Sequence, residues 1–228
     1  MPSVLMVFTS ATKTLTGAAT GYFLPEAAHP YYVFTPKVTV DFACPTGGDP
    51  IAPVDPSSIE PYANDDECVH FLNDPDVKLK FASAKKLAQV DPAAYDAVFY
   101  VGGLGPVLDL AFDEDNAKLG SAFWQAGKIV AAVCHGPGAL VGVKDAAGKS
   151  IYEGRSFTGF SHAEEVEYKK VKDVPFSLET KITQDLGGKY QKADKTWAPF
   201  VTHDGKLYTG QNPASAKPLA EELMKVLL

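Results

Sequence analysis

Apolar positions along the 228 residues gather into short unbroken runs set between longer stretches of mixed character. "VLMVFTS" (4–10) is nearly continuous in apolar residues, which is how a strand covered on both faces reads. "KVTVDFA" (37–43), "AYDAVFYVGG" (94–103) and "GKIVAAVC" (127–134) repeat the pattern. Helical spacing predicts one helix within "DPDVKLKFASAKKLAQV" (74–90) and another in "DNAKLGSAFWQAG" (115–127). The second places Leu119, Phe123 and Trp124 mostly on one side and stops at Gly127. "TWAPFVTHDGKLYTG" (196–210) is a hairpin candidate turning at Asp204-Gly205. "NPASAKPLAEELMKVLL" (212–228) closes the chain as a helix that Pro218 bends or delays. "DPIAPVDPSSIEPYANDDE" (49–67) holds too much proline for regular helix. A surface excursion is expected over about 44–76, as a lid or an interface. Strands alternating with helices predict an α/β fold: a mostly parallel central sheet with helices on both faces, residues 1–228 forming a single domain.

Length suits one substantial core, and 46% hydrophobic with 21% charged residues reads as globular. A formal net charge of -7 argues against a phosphate-binding surface or an anionic membrane, so neither nucleic acid nor membrane is an expected partner. Cys44, Cys68 and Cys134 make no CxxC pair and are too few for a disulfide framework or a four-cysteine zinc site; free thiols suggest a reducing compartment. "MPSVLMVFTSATKT" lacks a basic flank and reads as a first strand rather than a signal peptide, and no apolar run reaches 18 residues. The cytoplasm is the default location, and a nuclear fraction is compatible with it.

Ligands of parallel sheets bind beyond the carboxyl ends of the strands, which singles out "GGLGP" (102–106) and "CHGPG" (134–138). Cys134 ends an apolar strand at a strand-to-helix elbow. The free N–H groups and partial positive charge of a helix start favour the reactive thiolate. A buried structural cysteine is the competing reading. His135 is the natural partner, provided that a sharp elbow overrides the rule that strand neighbours point to opposite faces; otherwise it caps a helix at the surface. Gly102, Gly103 and Gly136 offer backbone N–H groups to a developing oxyanion, or else form ordinary turns. The loop has no complete GxGxxG and does not follow the first strand, so no dinucleotide is expected. Glu26 sits among apolar and aromatic residues in "TGYFLPEAAHPYYVF", and Glu164, Glu165 and Glu167 follow a short strand in "GRSFTGFSHAEEVEY". His29, His70, His162 and His203 form no HxH or HExxH, so a metal centre would need convergence in the tertiary structure; neither metal nor cofactor is expected.

Together "PEAAHP" (25–30), "VDFACPTGG" (40–48), "AAVCHGPGAL" (131–140), "EGRSFTGF" (153–160) and "TGQNPASA" (209–216) resemble the ThiJ/PfpI superfamily, nearest its heat-shock-protein-31-like branch. The resemblance implies a flavodoxin-like sandwich, usually a homodimer, and a glutathione-independent glyoxalase that converts methylglyoxal, or glyoxal, without cofactor; D-lactate is the product from methylglyoxal. It also implies Cys134 as nucleophile, His135 beside it, Glu26 as the early catalytic glutamate and Glu165 as the acid orienting the histidine, with Glu164 one residue away. The branch usually carries a histidine in a GGHGT-like loop, where this chain has Leu104 and Pro106 and keeps Asp109. Relatives described as stress-associated holdase chaperones, protein deglycases or peptidases supply other readings. A redox sensor based on Cys134 is a further one.

Overall fold

The computed structural model describes every residue from Met1 to Leu228. Along the chain the elements are β1 (Ser3–Val7), α1 (Leu24–Phe34), β2 (Thr39–Cys44), α2 (Asp66–Asn73), α3 (Pro75–Ala82), β3 (Lys85–Lys86), β4 (Ala97–Tyr100), α4 (Glu114–Gln125) and β5 (Ile129–Val133). Then come β6 (Ser156–Phe157), α5 (His162–Glu167), α6 (Leu178–Thr180), β7 (Lys189–Tyr190), β8 (Val201–Asp204), β9 (Leu207–Gly210) and α7 (Ala216–Leu227). Seven strands form one sheet in the order β3-β2-β1-β4-β5-β9-β8. All neighbours pair in parallel except β8, which returns antiparallel on β9 through the expected turn, with Gly205 at φ +62°. Its five longer parallel strands follow the flavodoxin order, so the α/β expectation is met.

The unbroken apolar runs have a direct cause. Val4, Met6 and Phe8 pack on one face of the sheet with α1, α2, α3 and α7. Leu5 and Val7 pack on the other with α4. Each such side chain taken fully out of water contributes about 1.5–3 kcal/mol, so neither face of β1 tolerates a polar residue. No helix is long and apolar enough to cross a membrane.

The structure adds detail to this reading at three places. Residues 24–34 form a helix that the periodicity did not reveal, because Pro25 and Pro30 interrupt it. Pro25 lies in the first turn, where N–H groups have no intrahelical partner anyway, while Pro30 has no N–H to give to the Glu26 carbonyl four residues earlier. The one helix expected within 74–90 is α3, and it ends early. Ser83 Oγ donates to the Leu79 carbonyl at 2.7 Å, α3 ends there, and the chain turns into the edge strand β3. Pro218 does not delay the closing helix; α7 starts at Ala216 and holds Pro218 in its first turn. The excursion after β2 is built of short 3-10 turns and α2, and it packs back onto the protein, burying Asp55 and Ser58.

Candidate active site

β5 ends at Val133, and Cys134 turns the chain with φ +60°. A non-glycine residue in this left-handed region costs about 1–2 kcal/mol and persists only when its surroundings fix it. Here the Cys134 N–H donates to the Gly210 carbonyl at 2.9 Å, and the Cys134 carbonyl accepts from Phe160 N at 2.8 Å. The reversal defeats the alternation of a strand. It sets Cys134 Sγ 3.5 Å from His135 Nδ1, although the two residues are adjacent. On its far side His135 Nε2 lies 2.9 Å from Glu165 Oε2, and both side chains are buried. Sulfur, imidazole and carboxylate thus stand in line, with the Nε2–H held by the acid and Nδ1 turned to the sulfur.

Glu164 is the neighbour that the sequence could not separate from Glu165, and it faces elsewhere. Its carboxylate accepts five hydrogen bonds: from Trp197 N, Gln211 Nε2 and Asn212 Nδ2 on one oxygen, and from the N–H and hydroxyl of Ser161 on the other. Burial alone would raise its pKa; the bonds from Asn212, Ser161 and Gln211 outweigh burial and hold it below the usual carboxylate range. A depressed folded-state value stabilises above the unfolded carboxyl pKa and stops doing so as pH falls through the folded one. Glu164→Gln sets an amide against the donors of Ser161 or of Gln211 and Asn212. It is expected to lose about 2–4 kcal/mol in urea denaturation at pH 7, with the gap to the parent closing in acid. An unchanged midpoint at pH 7 would contradict this account.

Glu26 lies on α1 and is 0% exposed, with neither carboxyl oxygen paired in a conventional hydrogen bond. Its neighbours are the Cys134 thiol and the N–H of Gly103. A methyl group on Gly102 would lie 2.0 Å from Glu26 Oε2 and 2.8 Å from Cys134 Cβ, so only glycine lets the three segments meet. Burial pushes Glu26 well up, and it pushes Cys134 up as well, with the Glu26 charge adding to the effect on sulfur. Two such groups titrate as a pair and cannot both ionise near neutrality. Once the carboxyl holds the shared proton it no longer repels the sulfur and can donate to it, and the Gly103 N–H helps in the same sense. The expected helix-start donors are replaced by this arrangement. The turn after the elbow, Gly136–Leu140, is a five-residue 3-10 segment, and the N–H that reaches sulfur comes from the other loop.

Cys134, 4% exposed, is part of the wall of a cavity of about 40 Å³. Glu26, His135, Gly103, Asp55 and Leu104 share that wall with Phe23, Phe160, Tyr168, Trp197 and Pro213. Gly102 and Gly136 stand outside the lining; a Cβ at Gly136 would strike the Tyr100 carbonyl at 2.6 Å, so that glycine serves packing. Asp55 and the aromatic residues carried no local signal in the sequence. They come from distant segments, and only the fold brings them together: Tyr168 Oη lies 2.9 Å from Ser57 Oγ, which donates to Asp55 at 2.7 Å. No lysine or arginine lines the space, so it suits an uncharged molecule of a few heavy atoms.

The sequence pattern of the DJ-1/PfpI family matches residues 64–226. Glyoxalase 3 of Candida albicans is 30% identical, over 98% of this chain and 98% of the relative. Glutathione-independent glyoxalase HSP31 of Saccharomyces cerevisiae is 31% identical, over 95% and 94%. Among solved structures, the Rapid Encystment Protein 24 kDa of Francisella tularensis superposes with a TM-score of 0.92 at 33% identity, covering both chains fully.

Proposed function

The chain belongs to the DJ-1/PfpI family, and from that premise we propose that it is a glutathione-independent glyoxalase acting on a small dicarbonyl, with methylglyoxal as substrate and D-lactate as product. One observation carries the reading: a thiol, a buried carboxyl and an acid-oriented imidazole all border a single small cavity.

In this reading the Cys134 thiolate attacks the aldehyde carbon, and Glu26 gives the pair's remaining proton to the new alkoxide, which leaves a hemithioacetal and a free carboxylate. The Gly103 N–H faces the charge that develops on oxygen. Glu26 then moves the proton from the former aldehyde carbon to its neighbour by way of an enediol, which leaves lactate as a thioester on Cys134. Water, activated by His135, releases the acid and restores the thiol. Glu165 holds the imidazole tautomer throughout. Substrate plus one water gives one lactate, so electrons balance without a cofactor. All three reacting side chains belong to one protomer, so the homodimer that the family resemblance implies would not be needed to complete the site. An extended peptide would not fit the cavity, which weighs against a peptidase. A cytoplasmic or nuclear setting accords with the reading, since three free cysteines stay reduced there.

The test is lactate formation from methylglyoxal by purified, reduced protein with no added thiol. Turnover is expected in the parent, and Glu165→Gln, which misorients the imidazole, is expected to lower kcat by about 10–10³-fold with KM little changed. A parent that forms no lactate, or a Glu165→Gln protein at full rate, would overturn the assignment.

A further inference from the structure

A second thiol, imidazole and carboxylate meet outside the cavity just described. His29 on α1, Asp65 at the start of α2 and Cys68 one turn into α2 bring one ligand-type atom each to within 4.8 Å of one another. Their geometry differs from that of Cys134, His135 and Glu165 in a way that decides the chemistry. There, sulfur and carboxylate lie on opposite nitrogens of the ring, which is the layout of a proton relay. At His29 both converge on the same nitrogen: Asp65 Oδ2 is 2.9 Å and Cys68 Sγ 3.8 Å from Nε2. Glu67 Oε2 approaches that nitrogen too, at 3.9 Å. With no ion bound, Nε2–H donates to Asp65, so the same nitrogen cannot also accept the Cys68 proton and the three groups form no relay. Their convergence is how ligands stand around a cation.

We propose that His29 Nε2, Cys68 Sγ and Asp65 Oδ2 form a binding site for one divalent zinc-type ion, with Glu67 or a water as the fourth ligand. Tetrahedral zinc, with bonds of about 2.0–2.3 Å, sets nitrogen, oxygen and sulfur ligands about 3.4–3.6 Å apart. The observed 2.9 and 3.8 Å are each roughly half an ångström or less from that. The ligand set of imidazole, thiol and carboxylate suits zinc over magnesium or calcium, which take oxygen. Access is open on one side. Cys68 is the buried floor, while the side chains of His29, Asp65 and Glu67 are 17%, 30% and 35% exposed. His29 borders a surface depression with Tyr62, Pro213, Lys217 and Glu221, and Lys217 already pairs with Glu67 Oε1 at 2.9 Å, leaving Oε2 to turn inward. Binding releases the Cys68 thiol proton to solvent and takes His29 as the tautomer with Nε2 unprotonated. The ion would tie α1 to α2 at His29, one helical turn from Glu26.

The site is tested in Cys134→Ala protein, which removes the other thiol facing an imidazole and makes the outcome independent of the glyoxalase reading. Zinc alone is titrated by calorimetry, and cobalt(II) reports the ligand through its thiolate charge-transfer absorption. One equivalent of zinc and a cobalt–thiolate band are expected. At a hundredfold excess over Kd, zinc should raise Tm by about 5–10 °C. Cys68→Ser should abolish the band, and His29→Gln should weaken zinc at least 100-fold. His29→Gln decides alone should Cys68→Ser fail to fold. No zinc binding at millimolar metal, or binding and band unchanged in His29→Gln, would overturn the proposal.

Discussion

Cys134→Ala is expected to lower kcat/KM for lactate formation by a factor on the order of 10⁴ or more, because no covalent adduct can form and the remaining groups only position substrate. The protein should stay folded. The substitution removes one heavy atom from the cavity wall and leaves the backbone bonds to Gly210 and from Phe160 in place, with alanine bearing the same left-handed φ. Tm within a few degrees of the parent, together with lost turnover, is the predicted pairing. Cys134→Ser keeps a nucleophile in place but a far poorer one, and should fall between the two. Retained lactate formation in the alanine variant, after the fold is verified, would remove the sulfur from the chemistry.

Glu26→Gln should cost about 10²–10⁴-fold in kcat, the range of a lost general acid–base group. Its instructive feature is what it should leave intact. Glutamine can still donate an N–H toward the sulfur, so alkylation of Cys134 by iodoacetamide should continue within a few-fold of the parent rate. Glu26→Leu should lose both, since it offers no donor. That split separates carrying a proton from activating the thiol, and equal loss of alkylation in both variants would contradict it. Stability gives a second readout. A carboxyl whose pKa is raised by burial contributes stability in full below its unfolded value and loses it as pH rises through the folded one. The parent should therefore weaken relative to Glu26→Gln as pH is raised from acid toward neutrality.

Four central strands could be read directly from apolar runs, because burial on both faces leaves no polar alternation to confuse them. α1 could not. Its two prolines hide a helix that survives because Pro25 sits where no N–H bond is required and tertiary packing buries most of the rest. Cys134 and His135 were visible as a pair, yet their contact depended on a backbone angle that no residue pattern prints. The choice between Glu164 and Glu165 rested on which side of a short helix turned inward; the capping box of Ser161 with Glu164 now explains it, but only after the fold is known. Asp55, Tyr168 and Trp197 reach the cavity from segments with no chemical motif of their own. Leu104, where the resemblance leads one to expect histidine, stands in the wall as an apolar side chain.

The left-handed turn at the nucleophile sets a conflict between durability and use. Glycine would occupy position 134 without strain, and a neutral side chain would occupy position 26 with less penalty than an ionisable one. Random variants selected only for surviving heat would therefore drift toward inert proteins of this shape. Any programme to harden the molecule has to hold those two positions fixed and look for its gains elsewhere.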